Sequence, residues 1–100
     1  MMTPEQQRIK IAELCGWRVT DPEHSMGIFD GDPPKAGLIP DYLNDLNASY
    51  DMEEHLTIEE WFRYTEYVDL LSSGAWQFRM FRATASQKAR AFLQTKGQWT

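Results

Sequence analysis

Apolar residues recur at helical spacing in four parts of the chain, and three of these parts begin with a capping box. In each box a threonine is followed three residues later by glutamine or glutamate, so that the two side chains satisfy free backbone N–H groups at the start of a helix. The three threonines are Thr3, Thr57 and Thr84. Gly16 and Gly97 suit the left-handed residue that follows the end of a helix. The pattern therefore predicts helices over residues 4–15, 44–56, 58–71 and 85–96.

The second predicted helix begins where a proline- and glycine-rich loop gives way to the block Pro40–Ala48. The polar residues of this block suit helix caps and turns, and we expect Asn44 or Asp41 to cap the helix. Leu43 and Leu46 follow helical spacing, so both are expected to anchor the helix to the core. The block is interpreted first as a structural junction between the loop and the helix.

Short strands are predicted where apolar and polar residues alternate, or where turn residues separate short apolar runs. They cover residues 17–19, 26–29, 36–39 and 76–80. The element order, with the two short strands of the loop taken together, is α-β-β-α-α-β-α. This order predicts an α+β domain with a small, largely antiparallel sheet and about four helices packed on it, in the manner of an α/β/α sandwich.

The composition indicates a single folded domain. One hundred residues suffice for one hydrophobic core, and 42% of them are hydrophobic. No apolar run approaches the roughly 20 residues of a membrane span, and the first residues lack the apolar core of a signal peptide. A single cysteine, Cys15, forms no internal disulfide. We therefore expect a soluble protein of a reducing cytoplasm that does not contact the membrane.

The net charge of −5 conceals an uneven distribution along the chain. Residues 20–69 carry thirteen acidic and two basic side chains, a local charge of −11, whereas residues 70–100 carry five basic and no acidic ones. Such an acidic surface repels double-stranded nucleic acid and suits a basic protein surface, although a charged face often serves solubility alone. The carboxylates expected to bind a partner are Asp45, Asp51, Glu53, Glu54, Glu59 and Glu60.

Candidate catalytic and metal-binding residues form no recognisable motif. Four aspartates in and after the loop are candidate oxygen ligands, namely Asp30, Asp32, Asp41 and Asp45. Their spacing does not fit an EF-hand loop, and turn formation or helix capping accounts for them. His24 and His55 lie outside any acid–base motif. Cys15 is placed at the electronegative end of the first helix, which opposes thiolate formation and favours a buried thiol. The sequence predicts a non-enzymatic protein without metal or cofactor.

Binding of a nucleotide is the alternative interpretation. The glycines of the loop are spaced unlike those of a Walker or dinucleotide-binding motif. Exposed aromatic rings could still stack on a base while arginines neutralise a phosphate, although strand residues of this kind more often belong to a core. The candidate ligand-binding residues are Asn44, Asn47, Trp76, Arg79 and Arg82.

Three blocks of the chain resemble the phage ABA sandwich domain family. They are Cys15-Gly16-Trp17, the block Pro40–Ala48 and the C-terminal run Ala83–Trp99, in the family's order. The resemblance implies a small phage or prophage protein with helices on both sides of a sheet and no established activity. Ser49-Tyr50 departs from the family, in which a pair similar to Met-His is more usual at this point.

This resemblance, together with the acidic middle of the chain, favours an inhibitor of bacterial antiviral defence that acts in the cytoplasm of an infected cell. We expect it to bind a host defence protein, for example a CRISPR effector, through its acidic surface. The alternative is an oligomeric sponge that sequesters a nucleotide immune signal. The broad aromatic face of the third helix is compatible with a homodimer.

Overall fold

The computed structural model describes residues 2–31, 33–71 and 83–100. These residues form four helices and one three-stranded antiparallel sheet, so the predicted α+β class is confirmed. In chain order the elements are α1 (Pro4–Leu14), β1 (Trp17–Asp21), β2 (Met26–Phe29), β3 (Lys35–Leu38), α2 (Leu46–Glu53), α3 (Ile58–Leu71) and α4 (Ala85–Thr95). The strand predicted over residues 76–80 lies outside the described residues.

The three predicted capping boxes are confirmed. The Gln6 backbone N–H donates to the Thr3 hydroxyl at 3.1 Å, and the Thr3 N–H donates to Gln6 Oε1 at 2.9 Å. The same reciprocal hydrogen bonds form in the other two boxes, between Thr57 and Glu60 and between Thr84 and Gln87. The expected glycine ends of α1 and α4 are also confirmed, with φ of +95° at Gly16 and +71° at Gly97.

The start of α2 differs from the prediction. Asp45 caps the helix by accepting a hydrogen bond from the Asn47 N–H at 2.9 Å, so the expected cap at Asn44 or Asp41 was wrong. The reason is a turn: the Asn44 side-chain amide donates to the Asp41 carboxylate at 3.2 Å, which holds both side chains away from the helix. The helix consequently begins later than predicted, and it also ends earlier, at Glu53 rather than at residue 56.

The block before α2 also contributes different residues to the core than expected. Leu43 is buried as predicted, but Leu46 is 44% exposed and anchors nothing. Tyr42 occupies the core position instead, with 1% of its surface exposed. Burial at this junction therefore comes from Tyr42 and Leu43 in the turn before the helix and from Ala48 and Ser49 in its first turn, but not from Leu46.

The sheet has the simple order β1-β2-β3, and both of its pairings are antiparallel. Trp17 of β1 lies opposite Phe29 of β2, and the register shifts between Val19 and Asp21. β1 extends to Asp21 rather than to the predicted Val19, and β3 begins one residue earlier than predicted. The pairing places two aromatic side chains next to each other at the end of the sheet nearest α1.

The core is organised around α4, which packs against α1, α2 and α3, while α1 packs against β1. The largest fully buried side chains are Ile11, Ile39, Tyr42, Met52, Tyr64, Val68, Phe92 and Leu93. Cys15 is buried, as expected, and Trp99 folds back against the core, where the Arg90 guanidinium lies 4.8 Å from its ring centre. No helix in the described ranges is long and apolar enough to cross a membrane.

The apolar face predicted for α3 is only partly buried. Tyr64 and Val68 are fully enclosed, whereas Phe62 keeps 65% of its surface exposed. Ile58 and Leu70 are likewise exposed at the two ends of the helix. α3 therefore contributes a narrow stripe to the core and leaves large apolar side chains at the surface.

Candidate functional site

An open cavity of about 200 Å³ lies between the sheet and the C-terminal end of α2. It draws on five parts of the fold: the end of α1, the three strands, the turn before α2, α2 itself and the turn after it. Its lining residues are Cys15, Trp17, Phe29, Lys35, Pro40, Tyr42, Asp51, Glu54 and His55. Two of the carboxylates expected to bind a partner, Asp51 and Glu54, are thus brought to one site.

The inner part of the cavity is neutral. The Tyr42 hydroxyl lies against the Cys15 thiol and the Trp17 indole. Burial raises the pKa of the Cys15 thiol to about 11, with the Tyr42 hydroxyl partly opposing this effect. Burial likewise raises the pKa of Tyr42, and the neighbouring thiol adds to the increase. Both groups therefore stay protonated at neutral pH, and the thiol is no nucleophile there.

Two aromatic rings form a wall of the cavity. The ring centres of Trp17 and Phe29 are 5.5 Å apart, with an angle of 43° between the planes, as expected for a tilted aromatic pair. Gly31 allows this position of Phe29, because a Cβ at Gly31 would lie 2.1 Å from the ring. A Cβ at Gly16 would lie 3.4 Å from the ring, which is ordinary van der Waals contact. The ring therefore depends on the missing side chain at Gly31 alone.

The rim of the cavity is acidic on balance. Asp51 and Glu54 are exposed and three residues apart, so their side chains point to the same side of α2. Lys35 faces them from β3, and the His55 ring lies beside them. Within the described part of the chain no basic side chain forms an ion pair with either carboxylate. Both carboxylates are accordingly available to a positively charged group from outside.

Glu53 and Glu60, which were also expected to bind a partner, are engaged within the fold. Glu53 Oε2 lies 3.6 Å from Lys88 Nζ and accepts a hydrogen bond from the Tyr64 hydroxyl at 2.7 Å. Glu60 Oε1 accepts a hydrogen bond from Lys96 Nζ at 2.9 Å. The Lys96 hydrogen bond lowers the pKa of Glu60 most strongly. These two glutamates therefore connect α2 and α3 to the C-terminal helix and its cap.

The remaining two predicted carboxylates lie apart from the cavity. Asp45 is exposed, but its side chain caps α2. Glu59 is exposed in the first turn of α3. The helix N-terminus favours a negative charge at both positions, so a structural role alone can account for them. Asp51 and Glu54 have no such role.

The residues considered for nucleotide binding do not converge in the described part of the chain. Asn44 lines a second cavity of about 210 Å³ beside α1 and is held there by Asp41. Asn47 is exposed in the first turn of α2 and lines neither cavity. The other three candidates, Trp76, Arg79 and Arg82, lie outside the described residues.

No metal site is found among the residues that the structure describes, because no three His, Cys, Asp or Glu side chains come close enough to share an ion.

Four residues that line the cavity were not predicted as site residues from the sequence, namely Trp17, Phe29, Tyr42 and Lys35. A signal for the first two was present. The strands predicted over residues 17–19 and 26–29 form a hairpin, and pairing their ends places the two rings side by side.

In comparisons with known proteins, no protein-family model, curated protein or solved structure matches the chain. The resemblance to the phage ABA sandwich domain family accordingly stays a prediction. What the fold and the site define is a small α+β domain with an open cavity, walled by aromatic rings and edged by carboxylates.

Proposed function

We propose that the protein is a small, non-enzymatic phage protein that inhibits bacterial antiviral defence. It binds a basic surface of a defence effector, such as the nucleic-acid channel of a CRISPR complex, in the cytoplasm of the infected cell. The observation that carries the proposal is the pair of exposed carboxylates, Asp51 and Glu54. Neither forms an ion pair with a basic side chain of the described residues. The family resemblance supplies the biological setting.

The position of this pair supports a role in binding rather than in folding. Asp51 lies in the last turn of α2 and Glu54 is its C-cap residue, and that turn holds no basic residue. A negative charge near a helix C-terminus is unfavourable by about 0.3–1 kcal/mol at an exposed position. Two carboxylates at this end therefore weaken the helix slightly, and attraction to a basic partner explains their presence.

Exposed apolar side chains on the same helices support a protein partner. Tyr50 of α2 and Phe62 of α3 are both more than half exposed, and Ile58 and Leu70 are more exposed still. Protein interfaces place aromatic side chains at energetically important positions, and a surrounding acidic surface speeds the encounter with a basic partner. The combination fits a protein surface better than free nucleic acid, which the carboxylates would repel.

Charge reversal on the exposed carboxylates tests this proposal. The variants D51K, E54K and E59K are compared with E23K, which makes the same charge change in the exposed turn between β1 and β2. Binding to purified CRISPR effector complexes, with and without guide and target nucleic acid, is measured by biolayer interferometry across a salt series. We expect affinity to fall with rising salt and in the three helix variants but not in E23K.

The helix dipole of α2 separates an effect on binding from an effect on stability in E54K. E54K places a positive charge at the C-terminus of α2, so the variant should be as stable as the unmodified protein or slightly more stable. Weaker binding by E54K would then reflect the partner surface and not unfolding. An affinity that stays high and changes neither with salt nor in any of the three charge-reversal variants would overturn the proposed electrostatic mechanism.

The nucleotide sponge is kept as the alternative function. The cavity of about 200 Å³ is smaller than the roughly 300–1,000 Å³ of sites for drug-sized ligands, so it gives this alternative no support. Calorimetry against a panel of cyclic and ADP-ribose-type nucleotides tests it, and turnover of any of them would instead reveal an enzyme.

The proposal also includes a homodimer that forms through α3, and a sandwich architecture with helices on both faces of the sheet.

A further inference from the structure

The cavity beside α2 has the size and lining of a site for one long side chain. Its volume of about 200 Å³ is too small for a nucleotide. The cavity is open to solvent, so a side chain of another protein can enter it. The wall is aromatic, the inner part is neutral, and the rim carries two unpaired carboxylates. Each of these properties restricts the chemistry of the group that fits.

The lining favours a cation with an extended apolar stem. The faces of Trp17 and Phe29 attract a positive charge held over them, and their area accommodates methylene groups. Asp51 and Glu54 supply opposite charge at the mouth, where an anionic group would be repelled. An uncharged side chain would form no ion pair with either carboxylate and would therefore bind less tightly than a cation.

Arginine meets these conditions better than lysine. Its guanidinium is planar, stacks on aromatic rings and is more weakly hydrated than an ammonium group, and it can donate to two carboxylate oxygens in one plane. Asp51 and Glu54 lie three residues apart on the same side of α2, so either carboxylate can accept such a forked pair of hydrogen bonds at the mouth of the cavity. Among the described lining residues Lys35 is the only lysine or arginine, and it forms no ion pair within the described residues, so it leaves Asp51 and Glu54 available to an arginine from outside.

We infer that this cavity receives an arginine side chain of the partner protein, packed against the aromatic wall of Trp17 and Phe29 and held at the rim by Asp51 and Glu54. The inference rests on the proposed function, because it supplies the anchor by which a basic partner surface docks. It adds a defined contact to a surface that otherwise acts only through its charge.

Titration of the isolated, ¹⁵N-labelled protein with small probes tests the cavity directly. The probes are N-acetyl-arginine amide, the lysine equivalent and the citrulline equivalent, which is nearly isosteric with arginine but uncharged. The indole N–H of Trp17 reports on the cavity, and the indole N–H of Trp61, exposed on α3, serves as the internal control. We expect the Trp17 signal to shift with arginine, less with lysine and not with citrulline, while the Trp61 signal stays unchanged.

The variants D51N and E54Q remove the rim charges at exposed positions, so they should leave the fold intact by circular dichroism. Each exposed charge should contribute a factor of about two to five to arginine affinity, and the double variant should lose roughly four- to twenty-five-fold. The variant E59Q, which removes a carboxylate away from the cavity, should bind the probe as the unmodified protein does. Equal shifts with citrulline, or an unchanged affinity in the double variant, would overturn the inference.

Failure of this inference is distinguishable from failure of the proposed function. If an effector binds in a salt-dependent manner and binds D51K and E54K more weakly, but the arginine probe does not shift the Trp17 signal, the cavity is not the anchor although the binding role stands. If the arginine probe enters the cavity but no effector binds, the site stands and the proposed target is wrong.

Discussion

Replacing Lys88 with methionine tests whether a buried ion pair holds α2 and α3 onto α4. Lys88 Nζ lies 3.6 Å from Glu53 Oε2, and the two side chains are only 6% and 11% exposed. The Tyr64 hydroxyl donates a hydrogen bond to the same carboxylate oxygen at 2.7 Å. K88M keeps most of the apolar stem of Lys88, so it removes the charge from the pair with little change in packing volume.

The expected loss follows from the burial of the pair. At 3.6 Å two unit charges attract each other by about 5 kcal/mol at an effective dielectric constant of about 20, and desolvation offsets much of this. Removing one partner of a buried pair typically costs about 3–5 kcal/mol, because the other charge stays buried without compensation. The Tyr64 hydrogen bond still stabilises the carboxylate, so we expect the lower end, about 3 kcal/mol. Domains of this size have a total stability of about 5–15 kcal/mol.

Urea unfolding followed by circular dichroism measures the loss as a change in the transition midpoint at constant slope. The matched control is K10M, because Lys10 and Glu13 form a pair at 3.9 Å whose side chains are 40% and 51% exposed. That variant should lose less than about 1 kcal/mol. Adding E53Q to K88M removes the uncompensated charge, so the double variant should be more stable than K88M alone. A loss in K88M as small as in K10M, or additive effects of K88M and E53Q, would refute the reasoning.

Three further predictions concern single residues. The pKa of Glu60 is lowered chiefly by the Lys96 hydrogen bond. The ionised Glu60 side chain therefore stabilises the folded protein at neutral pH, and this contribution is lost as pH falls through the lowered pKa. The difference in Tm between the unmodified protein and E60Q should shrink on acidification, and a constant difference would contradict this. G31A should displace Phe29, cost about 1–3 kcal/mol in urea unfolding and weaken binding of the arginine probe; unchanged probe affinity would show that the ring is not held as described. Raising the pKa of Cys15 from 9.0 to about 11 lowers its thiolate fraction roughly a hundredfold. Iodoacetamide should therefore modify the folded protein far more slowly than the urea-unfolded protein, and comparable rates would disprove the buried, protonated thiol.

The parts of the fold that could be predicted depend on interactions between near neighbours in the sequence. The capping box of Thr3 and Gln6 spans three residues, and its two hydrogen bonds follow from the residue types alone. The residue that caps α2 was harder to predict, because Asp41, Asn44 and Asp45 all have side chains that suit a helix cap. The choice among them is made by the turn in which Asn44 donates to Asp41, and that turn leaves Asp45 free to cap.

The candidate site could be predicted only in part, since it joins residues that are distant in the chain. The charge pattern predicted that Asp51 and Glu54 bind a partner, and both line the cavity. It also identified Glu53, whose partner Lys88 comes 35 positions later, and no local pattern indicates that pairing. Whether an acidic residue of this chain faces solvent or a buried lysine is decided by tertiary packing, which composition and spacing do not encode.

The basic C-terminal part of the chain explains why the acidic middle should be treated as two sets of residues. Lys88 and Lys96 extend from α4 and its cap towards α2 and α3 and neutralise Glu53 and Glu60 inside the fold. Part of the charge asymmetry is therefore satisfied within the molecule, and only the outer carboxylates remain for a partner. Reversing the charge of either inner glutamate would place two like charges together in a partly buried site, so a loss of binding would then reflect unfolding. The proposed role in binding is tested cleanly only by substitutions that leave these two glutamates in place.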